Sequence, residues 1–201
     1  MTYTSTGKFV RDFFGNMTGK FLEIGAWDGR PSDEEPYWDL LTTGWYGVYC
    51  EPNPHSIPSL IQNVSPYNAD IVTAAIGTTA GIQPFNASTS HPYISSFDSK
   101  WHLNLPPTLS ETPYVSDKIY APTITIDQIF ETFGYDFDTI SVDIEVSLES
   151  ELEIFKTIDF NKLPVCKLVI SETYSSELQT YMESFGFIRK SAPPNNYWIR
   201  A

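Results

Sequence analysis

The residues best able to do chemistry lie early in the chain, where Phe21-Leu22-Glu23-Ile24 runs into Gly25-Ala26-Trp27-Asp28-Gly29. Glycines at the end of an apolar strand let the backbone bend sharply and approach a ligand with no Cβ in the way. A tight turn without a ligand would use the same residues, so the loop alone decides nothing. Glu51 adds a second element. It closes the next apolar run, 22 positions beyond Gly29. An acidic side chain at the end of a second strand, about 20 residues on, is placed to accept hydrogen bonds from both ribose hydroxyls of an adenosine. Charge then narrows the ligand. A dinucleotide rests its pyrophosphate on a helix N-terminus, yet Asp28, Asp33, Glu34 and Glu35 crowd that position here. Four carboxylates repel a pyrophosphate and suit S-adenosylmethionine, which carries a sulfonium and an ammonium and no phosphate. The same acids would also serve as plain helix caps, with Ser32 and Glu35 spaced as a capping box and Pro36 blurring the helix start. Glu23 lies inside the strand, where a carboxylate must be paired or hydrogen bonded. A ligand ammonium would satisfy it.

These groups need a frame, and the rest of the sequence supplies one. Short apolar runs of strand length alternate with helix-length segments, the pattern of a parallel sheet with crossover helices. Strands are expected at Lys20 to Ile24, Trp45 to Cys50, Asp70 to Ile76, Thr139 to Ile144 and around Leu168 to Ile170. Their apolar continuity predicts burial on both faces. Helices are expected over Pro36 to Thr43, Pro54 to Asn63, Ile124 to Phe133, Leu152 to Ile158 and Ser176 to Phe185. In the second of these, Ile57, Leu60, Ile61 and Val64 share a face at helical spacing. Gly186 to Lys190 and Tyr197 to Arg200 flank a Pro-Pro-Asn-Asn link and predict a closing antiparallel hairpin, which separates this α/β fold from a dehydrogenase domain of purely parallel units. Phe85 to Pro122 shows no clear periodicity and reads as a functional lid or binding loop.

Composition sets the outer limits. The 201 residues suit a single domain over 1–201. With 12 basic against 25 acidic side chains the net charge is −13, the wrong sign for binding nucleic acid or docking on an anionic membrane. Cys50 and Cys166 each sit in an apolar run and read as reduced core thiols, His55, His91 and His102 are far apart, and no stretch is long and apolar enough to span a membrane. A cytoplasmic protein without a metal centre is expected.

The motifs resemble a known family. Glu23 to Gly29 (EIGAWDG), Gly44 to Pro54 (GWYGVYCEPNP), Ala74 to Gly77 (AAIG), Ser95 to Phe97 (SSF) and Ser141 to Glu145 (SVDIE) followed by ELEIFKTIDF are similar, in order, to the FkbM family of S-adenosylmethionine-dependent methyltransferases. The likeness covers nearly the whole chain. It implies the Rossmann-like class I methyltransferase fold, a seven-stranded, mostly parallel sheet with helices on both faces and an antiparallel last strand, in agreement with the hairpin. It also implies that Glu23, Gly25, Ala26 and Gly29 form the loop on the methionine side of the cofactor, with Ser32 near the ligand carboxylate. Glu51 would hold the ribose, Ala75 would lie near the adenine, and Asp143 would face the reacting methyl group. The implied reaction is methylation of hydroxyl oxygens on sugars or other small molecules. Val146 departs from the family pattern, which has glycine there, and the stretch to Glu151 is longer than the family's.

A hydroxyl acceptor calls for a base within hydrogen-bond reach. Asp143 and Glu145 are the first candidates, at the carboxyl end of a strand where open α/β sheets bind ligands. Asp143 contacting only the cofactor and Glu145 capping the next helix is the competing reading. His91 and His102 are second candidates, although a lone loop histidine is commonly just solvated. Asp143, Glu145 and Glu172 could ligate Mg²⁺, but their spacing does not demand it. Tyr93, Phe97 and Trp101 could line an acceptor pocket or cover the sheet as core. A catalytically degenerate cofactor-binding protein and, less favoured, a nucleotide-dependent oxidoreductase are the alternative functions.

Overall fold

The computed structural model describes residues 5–32, 35–91, 94–97, 114–144, 148–192 and 195–201. The main sheet has seven strands: β1 (Lys20–Ile24), β2 (Tyr46–Cys50), β3 (Ala69–Val72), β7 (Thr139–Val142), β8 (Leu168–Ser171), β9 (Ile188–Ala192) and β10 (Asn195–Ile199). They lie in the order β3-β2-β1-β7-β8-β10-β9. All pairings are parallel except those of β10, which runs antiparallel to both β8 and β9. This is the class I methyltransferase arrangement, closed by the expected hairpin. β1, β7 and β8 are buried along their whole length, as their unbroken apolar runs require.

Alternation along the strands divides the core into two layers. Leu22, Ile24, Val48, Cys50, Ile140 and Val142 pack under α4 (Ile126–Phe133), α5 (Leu148–Lys156) and α6 (Ser176–Ser184). Phe21, Tyr49, Leu168 and Ile170 pack under α1 (Thr6–Phe14), α2 (Trp38–Thr42) and α3 (Ile57–Val64). α4 starts with a complete capping box: Gln128 N donates to the Thr125 hydroxyl while the Gln128 side chain accepts from Thr125 N at 2.9 Å. Cys50 and Cys166 are free thiols in the core, and burial pushes the Cys166 thiol up to about 12.

Four expectations change. The run from Asp70 to Ile76 is two strands, not one. β3 stays in the main sheet, whereas β4 (Ala75–Ile76) leaves to join a second sheet with β5 (Gly81–Ser88) and β6 (Ser116–Ile124), ordered β4-β6-β5. An apolar run does not reveal a change of partner within it. The segment from Phe85 to Pro122 therefore begins and ends in regular structure, because the antiparallel β5–β6 pair spans Gly81↔Thr123 to Ser88↔Ser116. Pro84, just before this segment, and Pro122 at its end disguise strands whose other face is open to solvent. Third, α1 was not expected; Ser5 caps it by accepting from Lys8 N at 3.1 Å, and Phe9, Val10 and Phe14 bury its inner side. Last, Ile61 on α3 is exposed, so only Leu60 and Val64 of the expected stripe reach full burial.

Candidate functional site

β1 ends where its backbone is pressed against β7. Asp143 N donates to Ile24 O at 2.9 Å, and a Cβ on Gly25 would stand 1.6 Å from Asp143 O. Gly25 also has φ +86, so glycine is demanded twice. The loop then hangs from the end of β2, with Gly25 N and Ala26 N both donating to Cys50 O, at 3.0 and 3.1 Å. Gly29 serves packing: a Cβ there would meet Leu60 and Val64 of α3 at 2.8 and 2.9 Å.

Beyond these strand ends opens a cavity of about 580 Å³, its mouth included. Gly25, Glu51 and Asp143 line it together with Trp27 and Cys50, and Ala75, Ile76, Phe85 and Phe97 of the second sheet and its loop form an apolar wall. Ser95 fixes that wall: its hydroxyl accepts from Asn53 Nδ2 at 2.9 Å and from Ser88 N at 3.0 Å. The small sheet is thus the side of the cavity away from the main sheet.

Glu51 is buried at this opening. Oε2 accepts from Trp27 N at 2.8 Å and Oε1 from Asn53 N at 2.7 Å. Burial raises its carboxyl to about 7, against the opposing pull of the two amides. Each oxygen keeps a second lone pair, so the group can still accept from a vicinal diol. Asp143, at the tip of β7, is exposed on the rim.

Of the sequence-predicted residues, the structure gathers Gly25, Glu51, Ala75 and Asp143 around the cavity. Glu23, Ala26, Gly29 and Ser32 do not line it. Ala26 is core, and the Ser32 hydroxyl accepts from Glu35 N at 3.0 Å, one half of the expected capping box. The helix itself starts only at Trp38. Glu35 consequently turns inward, where it is buried beside Glu23. Asp28 is buried too and pairs with Arg30 at 3.4 Å. His91 is buried next to Ser88 and Ser90, away from the cavity lining. Phe97 reaches the cavity wall. Glu145, Val146, Asp33, Glu34, Tyr93, Trp101 and His102 lie outside the described residues.

Sequence reasoning missed Trp27, Ile76 and Phe85 as lining residues, and it missed Glu151. That side chain is 1% exposed, accepts a hydrogen bond from the Thr173 hydroxyl, and is raised to about 7 by burial. An acid at a core-facing position of an amphipathic helix was the available signal.

The profile of the methyltransferase FkbM domain matches residues 23–193. The chain belongs to the FkbM methyltransferase family. S-adenosylmethionine is the methyl donor of that family. Among solved structures the chain resembles an FkbM methyltransferase from Methylobacillus flagellatus, with 14% identity and a TM-score of 0.53 over 90% of this chain and 43% of that one. It also resembles, at 8% identity and a TM-score of 0.48 over 96% and 76% of the two chains, a magnesium protoporphyrin IX methyltransferase from Synechocystis with S-adenosylmethionine bound. An S-adenosylmethionine-dependent methyltransferase from Leishmania major gives 12% identity and a TM-score of 0.49 over 96% and 69%. The chain spans less than half the length of the first of these. No curated protein matches it by sequence.

Proposed function

We propose that the chain transfers a methyl group from S-adenosylmethionine to a hydroxyl oxygen of a small molecule or sugar. One observation carries the reading: one cavity at the carboxyl ends of β1, β2 and β7 brings together a diol acceptor in Glu51, an apolar wall of Ala75, Ile76, Phe85 and Phe97, and a rim carboxylate in Asp143. Glu51 takes the ribose, and Ala75, Ile76, Phe85 and Phe97 enclose the adenine. The loop from Gly25 holds the methionine side. The cofactor supplies an electrophilic methyl group on a sulfonium. The chain supplies orientation and a largely apolar enclosure that keeps water from the reacting oxygen. Asp143, with Glu145 as the second candidate, accepts the acceptor's hydroxyl proton as its oxygen gains the methyl group, so no alkoxide need form in solution.

The test is calorimetric titration of S-adenosylmethionine and of S-adenosylhomocysteine into folded protein freed of bound cofactor, followed by a screen of sugar and hydroxylated acceptors for methyl transfer. Binding that weakens in Glu51→Ala supports the cofactor assignment. Turnover that falls in Asp143→Asn while cofactor affinity holds supports the base. Binding with no turnover on any hydroxyl acceptor moves the reading to a cofactor-binding protein that has lost catalysis.

A further inference from the structure

The loop after β1 breaks a local rule at Trp27. Gly29 N donates to Ala26 O at 3.1 Å, closing a four-residue turn whose first central residue is Trp27, at φ +47. Turns with a positive φ at that position take glycine, because a side chain in the left-handed region crowds its own backbone. Among the described residues Trp27 is the one non-glycine with a positive φ. Glycine stands two positions to either side of it, at φ +86 in Gly25 and +58 in Gly29.

The backbone duties of this position do not account for the indole. Trp27 N donates to Glu51 Oε2 at 2.8 Å, a bond that any residue except proline supplies and that glycine would supply without strain. Nor does the ring fill the core. It is half-buried, and among the described residues it belongs to neither packed layer of the main sheet. Its place is the cavity lining.

The ring is also braced. The Arg30 guanidinium stacks over it, 4.4 Å from its centre, within reach of a cation–π contact. Arg30 is tied in turn to Asp28, through N to Oδ1 at 3.2 Å and Nε to Oδ2 at 3.4 Å. Asp28 O accepts from Asn63 Nδ2 of α3 at 2.8 Å. Arg30 does not line the cavity, so it supports the ring from outside the space a ligand would take. A strained backbone carrying a braced aromatic at a cavity is strain kept for a site.

The loop runs between the two acids of the cavity. Gly25 is pressed against Asp143 O, and Trp27, two residues on, is bonded to Glu51. With the ribose at Glu51 and the reacting methyl at Asp143, the stretch between them holds the sulfur. We propose that the Trp27 indole packs against the ribose-to-sulfur segment of the cofactor, and that the loop keeps a strained backbone to present it. This rests on the cofactor reading above and adds a side-chain contact that a glycine loop does not give. The ring offers apolar surface that keeps water from the sulfur and limits rotation about the bonds joining it to the ribose.

The experiment is calorimetric titration of S-adenosylhomocysteine and of 5′-methylthioadenosine into wild type, Trp27→Ala, Trp27→Gly and Trp27→Phe, with thermal unfolding of each protein. 5′-Methylthioadenosine lacks the amino-acid portion but keeps the ribose and the sulfur. Trp27→Ala and Trp27→Gly should each bind both ligands about tenfold more weakly, by the same factor for the two ligands, and Trp27→Phe should stay within about threefold of wild type. Trp27→Gly should unfold about 3 °C above Trp27→Ala, because it alone releases the strain. Equal affinity in two proteins of unequal stability is a result that a purely structural role does not give. Trp27→Asn, whose side chain tolerates a left-handed backbone, takes the place of Trp27→Gly if that protein does not fold. Wild-type affinity in Trp27→Gly, affinity recovered between Trp27→Ala and Trp27→Gly, or a loss confined to S-adenosylhomocysteine overturns this inference and leaves the cofactor reading standing. If neither ligand binds folded wild-type protein, the cofactor reading falls and takes this inference with it.

Discussion

Glu51 and Glu23 stand at the ends of neighbouring parallel strands, both buried and both raised, yet their surroundings differ in kind. Each Glu51 oxygen receives a backbone N–H, so the ionised form is supported before any ligand arrives and spare lone pairs face the cavity. Among the described residues no backbone N–H is seen to reach Glu23; it faces a second carboxyl, and its Oε2 has no hydrogen-bond partner there. A carboxylate held by amides is suited to neutral donors such as ribose hydroxyls. One held against another acid is suited to a cation and needs a proton without it.

The largest effect should come from destroying the boundary between the two places. In Gly25→Ala the new Cβ would stand 1.6 Å from Asp143 O and would have to adopt a left-handed φ. Neither β1 nor β7 can yield without breaking the Asp143 N to Ile24 O bond. A loss of about 3 kcal/mol or more is expected, read by denaturant unfolding, with cofactor binding lost at both ends. A variant of near-native stability would show that the strand ends are less tightly joined than this geometry requires.

Next is Glu51→Ala, which removes the proposed diol acceptor and orphans the amides of Trp27 and Asn53. Hydrogen bonds to a charged group contribute about 1.5–3 kcal/mol each, so affinity for S-adenosylhomocysteine should fall about 100-fold. Affinity for 5′-methylthioadenosine should fall by the same factor, because both ligands carry the ribose. An unequal loss would mean that Glu51 serves the amino-acid end and that the contrast with Glu23 is drawn the wrong way.

Much of this contrast could be read from the sequence, but only one side of it. The main sheet was legible because strands buried on both faces leave unbroken apolar runs, and Glu51, Gly25 and Asp143 were legible because they close those runs. The second sheet was not: β5 and β6 carry Pro84, Asn86, Asp117 and Lys118, which at sequence level look like loop. Glu35 sits where helix caps sit, and its inward turn depends on Ser32 and on Tyr37 stacking against Phe21 at 4.4 Å. Tyr49 lies inside an apolar run, and only strand register places it beside Glu23.

The paired acids also give the stability of the free protein an unusual pH dependence. Burial raises Glu35 and Glu51 to about 7 in the fold against an ordinary value of 4.5, and burial beside Glu35 also holds Glu23 well above its ordinary value. Between these values the folded state holds more protons than the unfolded chain, so stability is greatest below about 4.5 for these groups and falls as pH rises through 7. Thermal unfolding should therefore occur at a higher temperature at pH 5 than at pH 8, by on the order of 10 °C for a chain of this size. A midpoint that does not change between pH 5 and pH 8 would mean that these carboxyls titrate at their ordinary values in the fold.

The smallest expected effect comes from Glu151, a buried acid that shares the raised carboxyl but neither ligand role. It is held by the Thr173 hydroxyl and raised to about 7 by burial, with Glu172 adding repulsion. At pH 6 it is mostly neutral, and Glu151→Gln keeps an oxygen to accept from Thr173, so the change in stability there should be below about 1 kcal/mol. At pH 8 the wild type bears the cost of ionising a buried group and the amide does not, so the variant should be the more stable protein. Urea unfolding at the two pH values checks the reversal, and S-adenosylhomocysteine affinity should be unchanged at both. A variant that loses ligand affinity would place Glu151 with Glu23 and Glu51, and the division between a buried acid that binds and one that only packs would have to be redrawn.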